Sequence, residues 1–196
     1  MLSTERRQRQ RDELRENIIA TAIQLASTGW GAVTMRAIAD HLGYTAAGLY
    51  HHFASKDAVL EEINRRGHAM LLDRFMQVPD KDPRKKLLGM ARALVDMAYD
   101  QPELYQAVAG IGVVCDRIGP PEEALRIKKL VDQTVLPLLP SASMLPDASE
   151  LLRAALSGIV TLCLNGQIAG GRKRARTLTA LAVHQAVDSW GQKRRC

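Results

Sequence analysis

Apolar residues along this chain recur every three or four positions, with no sustained alternation in twos, so the pattern predicts helices and no strands. A first helix is expected from about 7 to 27, with Leu14, Ile18, Ala22 and Leu25 on one face and Ile19, Ile23 and Ala26 beside it. Gly29 ends it, because glycine accepts the left-handed conformation that terminates helices. Thr34 caps a short second helix whose inner face carries Ile38, Ala39 and Leu42, and Gly43 closes that helix. Thr45 caps a third, very short helix running through His51. Ser55 then starts a longer fourth with Val59, Leu60, Ile63, Met70 and Leu71 on its apolar side.

Beyond residue 77 the punctuation is proline with acids. Asp82-Pro83, Gln101-Pro102-Glu103 and Pro120-Pro121-Glu122-Glu123 each mark a helix start. Pro137 and Pro140 end the helix that begins near 121. Asp147-Ala-Ser-Glu150 reads as a capping box for a helix to about Ile168, terminated by Gly170-Gly171, and a last helix is expected from about 175 to 190, stopping at Gly191. The expectation is an all-α protein of about nine helices. The stretch Gln77-Val-Pro-Asp-Lys-Asp-Pro83 is the one candidate junction, which divides the chain into residues 11–76 and 77–196.

Composition narrows the class. With 46% hydrophobic and 24% charged residues in 196, the chain can bury a core and is not disordered. Cys115, Cys163 and Cys196 form no CxxC pair, which points to a reducing, cytoplasmic setting. The Arg/Gln/Glu-rich segment 1–15 has the character of neither a signal peptide nor an anchor. The most apolar stretch, 151–164, is too short and too interrupted by Arg153 to span a bilayer, so no membrane partner is expected. The net charge of +6 invites a nucleic-acid reading, but residues 1–76 carry +1, 77–169 carry −1 and 170–196 carry the whole +6. The aromatics are more informative. Trp30, Tyr44, Tyr50 and Phe53, half of the eight, fall within 24 residues.

That window contains Thr34-Met-Arg-Ala-Ile-Ala-Asp-His-Leu-Gly-Tyr-Thr-Ala-Ala-Gly-Leu-Tyr-His-His-Phe-Ala-Ser-Lys56. Two short helices joined at Gly43, with Ile38, Ala39 and Leu42 facing Leu49 and Phe53, follow the helix-turn-helix plan over about 34–53. The small residues Thr45-Ala-Ala-Gly48 would let the second helix lie close to a duplex. Tyr50, His52 and Lys56 supply donors for phosphate oxygens. Spacing alone equally allows a helical hairpin of an ordinary core.

The window from about Arg11 to Arg74 resembles the N-terminal domain of the TetR family of regulators. The resemblance rests on Arg15-Glu-Asn-Ile-Ile-Ala-Thr-Ala, Gly29 before Thr34, Ile38-Ala39-Asp40, Gly43, and the run Gly48-Leu49-Tyr50-His51-His52-Phe53-Ala54-Ser55-Lys56. It implies that Thr34 and Lys56 lie near phosphates and that Arg36 faces bases or backbone. The recognition helix maps onto Thr45, Ala46, Ala47, Gly48, Tyr50, His51 and His52. Two departures stand out. Ala46 and Ala47 offer no side-chain hydrogen bond to a base, and Met35 leaves the second helix apolar at its first turn. Direct readout then rests on Arg36, Thr45 and His51, with methyl contacts from the alanines. A basic arm of Arg6, Arg7, Arg9 and Arg11 preceding the first helix reads either as a DNA contact or as a solvated terminus.

The same resemblance implies a C-terminal bundle that binds an effector and dimerises. Met70, Met90, Leu94, Met97, Tyr105, Val108, Ile111, Leu156, Ile159 and Cys163 are the expected lining of an apolar pocket, although a Met/Leu stripe at helical spacing also suits plain core. The helix at 151–164 is apolar nearly all round, and with 178–190 it would build a four-helix interface across a two-fold axis. Leu152, Leu156, Ile159, Val160, Leu178, Leu181, Ala182 and Trp190 are the expected contacts. His41, His51 and His52 lack ligand-spaced partners for a metal. Cys115 and Cys163 sit in apolar company as small hydrophobes rather than a thiol sensor, and Gly110-Ile-Gly112 follows no strand. No catalytic string is present, and no cofactor is expected.

The expectation is a homodimeric, ligand-responsive transcriptional regulator, a repressor released from a palindromic operator of double-stranded DNA by a small, largely apolar molecule, and not an enzyme. The alternatives are a helical small-molecule binder or enzyme with an incidental helix-turn-helix, and a DNA-binding protein without an effector.

Overall fold

The computed structural model describes residues 2–79, 81–112 and 119–192, with side chains for 5–79, 81–112 and 119–191. Among these, nine α-helices form and no strand: α1 Leu2–Ala26, α2 Met35–Leu42, α3 Ala46–Leu49, α4 Lys56–Met76, α5 Pro83–Asp100, α6 Pro102–Ala109, α7 Glu122–Val135, α8 Leu145–Leu164 and α9 Gly171–Gln192. No helix among the described residues is long and apolar enough to cross a membrane. Cys115, Cys196 and the basic residues Lys193, Arg194 and Arg195 lie outside the described residues.

Helix starts follow their capping residues. The Thr34 hydroxyl accepts from the Ala37 N–H at 3.0 Å and opens α2. The Asp82 carboxylate accepts from the Lys85 N–H at 3.0 Å, with Pro83 in the first turn of α5. Several boundaries differ from the sequence reading, and α3 stops at Leu49 rather than running through His51. Helix α1 begins at Leu2, so Arg6, Arg7, Arg9 and Arg11 belong to the helix rather than to an arm before it. Helix α8 starts at Leu145 with Pro146 in its first turn, so Asp147 lies within that turn instead of capping it. It stops at Leu164, where Gly166 (φ 71°) reverses the chain, and Gly170-Gly171 lead into α9 rather than out of α8. Glycine at positive φ serves either end of a helix, and only long-range partners decide which. Those partners are on α5. Arg172 meets Asp100 at 2.6 Å, and Arg176 pairs with Asp96.

The contacts divide the chain into two compact units, residues 1–67 with 103–119 and residues 68–102 with 120–196. The division therefore runs through α4 rather than through the proline-rich stretch at 77–83. Helix α4 is continuous to Met76, and α6 returns to the N-terminal helices. In the first unit Asn64 Nδ2 donates to the Ala107 carbonyl at 2.6 Å, and Trp30 Nε1 donates to Gln106 Oε1 at 2.9 Å. A Cβ on Gly67 would stand 2.9 Å from the Leu104 carbonyl oxygen, so α6 lies against α4 at backbone distance. The core of this unit includes Ile18, Ile19, Ile38, Leu49, Phe53, Val59, Leu60 and Ile63.

The second unit is a bundle of α5, α7, α8 and α9. Its core gathers Leu87, Ala91, Val135, Leu139, Ala148, Leu152, Val183, Val187 and Trp190. Each of these takes an apolar side chain out of water, worth roughly 1.5–3 kcal/mol for a leucine or valine.

Candidate nucleic-acid interface

Helices α2 and α3 owe their geometry to three local devices. Gly43, at φ 73°, ends α2 in the left-handed conformation and lets the Tyr44 N–H reach back to the Ala39 carbonyl at 2.9 Å. The Thr45 hydroxyl accepts from the Gly48 N–H at 3.2 Å and opens α3. The Ser55 hydroxyl accepts from the Ala58 N–H at 3.1 Å, which sets Lys56 in the first turn of α4. Ile38, Ala39, Leu49 and Phe53 are buried between these helices, as their spacing predicts.

The buried side fixes what faces outward. Thr34, Arg36, Thr45, Ala47, Tyr50 and His51 are exposed, and Ala46, Gly48, His52 and Lys56 are half-buried. All ten expected DNA-facing residues thus retain surface. Met35, the apolar residue in the first turn of α2, is 6% exposed and turned into the core. Arg36 is 89% exposed and meets Asp40 at 3.8 Å, an ion pair in water that holds the guanidinium only weakly.

His52 departs from a simple donor role. Burial, followed by the nearby positive charges of Arg11 and Arg15 and by His51, pushes its pKa below the ordinary imidazole value. Its Nδ1 is buried and has no hydrogen-bond partner. Both effects favour the uncharged ring, which can serve a phosphate by a hydrogen bond.

One participant was invisible to the sequence pattern. Arg15 of α1 donates from Nη1 to the His52 carbonyl, and its guanidinium lies 4.2 Å from the centroid of the Phe53 ring. Nothing in helical periodicity links residues 37 apart. Beside it, Glu16 accepts two hydrogen bonds at 2.6 Å from Arg66 of α4. Arg66 Nε also donates to Glu62 at 2.7 Å, and Arg65 donates to Glu62 at 2.8 Å from Nε and 2.9 Å from Nη2. Those bonds hold the Glu62 carboxyl down to about 2 and the Glu16 carboxyl below its ordinary value.

Residues 18–63 match the family model described as bacterial regulatory proteins, tetR family. This segment is similar to the DNA-binding part of tetR-family proteins. The match spans α2, α3 and the start of α4, where the exposed residues above are gathered. Among curated relatives, the HTH-type transcriptional repressor KstR2 of Mycolicibacterium smegmatis is 36% identical over 101 residues, covering 49% of this chain and 48% of that protein. KstR2 of Mycobacterium tuberculosis H37Rv is 33% identical over 90 residues, 43% and 45% of the two chains. The chain is thus aligned with about half the length of the curated relatives it matches. Among solved structures, a protein from Rhodococcus sp. RHA1 superposes with a TM-score of 0.72 at 18% identity, over 90% of this chain and 95% of that one. A TetR-family transcriptional regulator from Bordetella parapertussis superposes with 0.64 at 16%, over 87% and 93%. The fold of these solved structures therefore extends over most of the chain.

The remaining expected sites are placed less evenly. Of the pocket residues, Tyr105, Val108 and Ile111 belong to the first unit, with Tyr105 1% exposed in its core. Met90, Leu94, Met97 and Cys163 are buried in the second unit, where Met70, Leu156 and Ile159 are half-buried. Two open recesses of about 330 Å³ in that unit have other walls: one has Leu125, Lys128, Leu136 and Leu145 around it, the other Leu88, Arg92, Arg176 and Thr179.

The expected dimer contacts need correction in part. Leu152, Val160 and Trp190 are 4%, 0% and 7% exposed, taken up inside the protomer, and leave no surface for a second copy. Leu156, Ile159, Leu178 and Ala182 are half-buried, and Leu181 is 48% exposed. The outward stripe of α8 is Leu151 (71% exposed), Ala155, Gly158 and Leu162 (40%), at helical spacing.

Proposed function

We propose that this chain is a homodimeric transcriptional regulator, a repressor in mode, that binds a palindromic operator through α2, α3 and the start of α4 and leaves it when a small apolar molecule binds the second unit. The observation that carries this reading is the set of exposed residues Thr34, Arg36, Thr45, Ala47, Tyr50 and His51 on a capped helix-turn-helix inside the family match. Thr34, Tyr50 and Lys56 would hold phosphates. Arg36, Thr45 and His51 would read base edges, with thymine methyls against Ala46 and Ala47. Its place of action is the cytoplasm, where the DNA is, and its role is regulatory rather than enzymatic.

The dimer would form on the exposed stripe Leu151, Ala155, Gly158 and Leu162 of α8 with Leu178, Leu181 and Ala182 of α9. Exposed leucines aligned on two packed helices are costly in water and suit a symmetric partner. The effector would sit among Met70, Met90, Leu94, Met97, Leu156, Ile159 and Cys163, whose side chains offer apolar contact and few hydrogen bonds. It would act by favouring the conformation that spaces the two recognition helices wrongly, a coupling typically worth about 1–3 kcal/mol. In this proposal residues 11–76 read DNA and 77–196 respond, with α6 tied to the N-terminal helices through Asn64 and Trp30.

Binding to duplex DNA as a function of salt tests the proposal. The logarithm of affinity should fall linearly with the logarithm of salt concentration, and Lys56→Ala should flatten the slope by about one for each protomer while weakening all sequences alike. A protein whose binding is indifferent to salt, or a Lys56→Ala variant with unchanged slope, contradicts it.

A further inference from the structure

Helix α3 spans four residues, Ala46–Leu49, and the DNA-facing segment continues through a turn at Tyr50, His51 and His52 before Phe53 enters the core. So short a helix has almost no internal ladder to hold its direction. The His52 and Phe53 N–H groups both return to the Leu49 carbonyl, at 2.8 and 3.0 Å, and the last carbonyl before Phe53 is that of His52. That carbonyl is taken by Arg15, and the same guanidinium covers the face of the Phe53 ring. One side chain of α1 thus grips two consecutive residues where the recognition segment ends. The next residue of α1, Glu16, is bound twice by Arg66 of α4. Helix α1 is therefore fastened to the DNA-facing turn and to α4, which follows it.

We propose that Arg15 is a positioning residue for DNA recognition: it sets the orientation of Tyr50, His51 and His52 toward the duplex by clamping the turn that follows α3, and does not act as a phosphate contact. The inference rests on the DNA-binding reading above. A planar fork that donates to a carbonyl and stacks on a ring at once is a property of arginine that lysine lacks, whereas a phosphate contact needs only the charge. Arg15→Lys and Arg15→Met therefore separate the two roles.

The experiment measures affinity for a duplex selected by the wild-type protein and for a random-sequence duplex, across salt concentrations, at a temperature where circular dichroism shows every variant fully folded. Both variants should lose about tenfold in affinity for the selected duplex, with the selected-to-random ratio reduced and the salt slope of Arg15→Lys unchanged. Wild-type affinity and ratio in both variants, even with a lowered melting temperature, would overturn the proposal and leave Arg15 a stabiliser of the fold only. So would rescue by lysine together with a slope that falls by about one per protomer in Arg15→Met, the mark of a phosphate contact. The wild-type protein and Lys56→Ala serve as the separate check. A wild-type protein that selects no duplex removes the DNA reading itself, whereas normal wild-type selection with intact Arg15 variants removes this inference alone.

Discussion

Trp30 and Gln106 are joined across 76 positions of sequence by a hydrogen bond of 2.9 Å from the indole N–H to the amide oxygen. Trp30 is 7% exposed, so its N–H has little access to water if that oxygen is removed. A donor stranded in this way costs about 1–3 kcal/mol. Gln106→Leu should therefore destabilise the first unit by about that amount. Urea unfolding followed by tryptophan fluorescence would record it as a lower midpoint with an unchanged slope.

The Glu16–Arg66–Glu62–Arg65 network makes the first unit sensitive to acid. Both carboxyls are held below their ordinary value of 4.5, Glu62 to about 2, by hydrogen bonds from arginine that outweigh the opposing effect of partial burial. A depressed carboxylate contributes stability that is present above its unfolded pKa and is lost as pH falls through the folded one. Stability should thus hold steady from pH 7 to about 5 and decline between about 4.5 and 2. Glu62→Gln should flatten that decline, which chemical denaturation at a series of pH values would measure.

Gly48 separates stability from binding. A Cβ placed there would meet only the Thr45 hydroxyl oxygen, at an ordinary 3.4 Å, so the fold does not require glycine at this position. Gly48→Ala should leave thermal stability unchanged or raise it by up to about 1 kcal/mol through helix propensity. Gly48→Leu should fold equally well yet lose more than about tenfold in DNA affinity, because its side chain would stand between α3 and the duplex. Equal affinity in the leucine variant would count against α3 as the reading helix.

Leu151 on α8 and Leu181 on α9 are 71% and 48% exposed. If they meet a second copy, Leu151→Glu with Leu181→Glu should convert a dimer to monomers at micromolar concentration while the far-ultraviolet circular dichroism stays unchanged. Sedimentation velocity would show the change in mass. Unaltered sedimentation of the double variant would place the dimer contact elsewhere.

Much of this molecule was legible in its sequence where the cause is local. Thr34, Gly43, Thr45, Ser55 and Asp82 mark helix ends because each acts on backbone within three or four residues. The core positions Ile38, Leu49 and Phe53 follow from helical spacing. What escaped has long-range causes. Gly170-Gly171 reads as a terminator until Asp96 and Asp100 supply partners for Arg172 and Arg176, which also accounts for part of the basic excess at the C-terminal end. Helix α8 is apolar on several faces, so periodicity could not say that Leu152 and Val160 would be consumed by the protomer while Leu151 and Leu162 stayed outside. Arg15 carries no motif at all. Its contacts depend on where the turn after α3 brings His52 and Phe53.

Selection of duplexes from a random-sequence pool by the purified protein tests the central claim most directly. The account predicts enrichment of a palindrome whose half-sites are centred about 10 base pairs, or roughly 34–36 Å, apart, as two-fold symmetry places two α3 helices on successive major grooves. An intact dimer that enriches no sequence at low salt would contradict it.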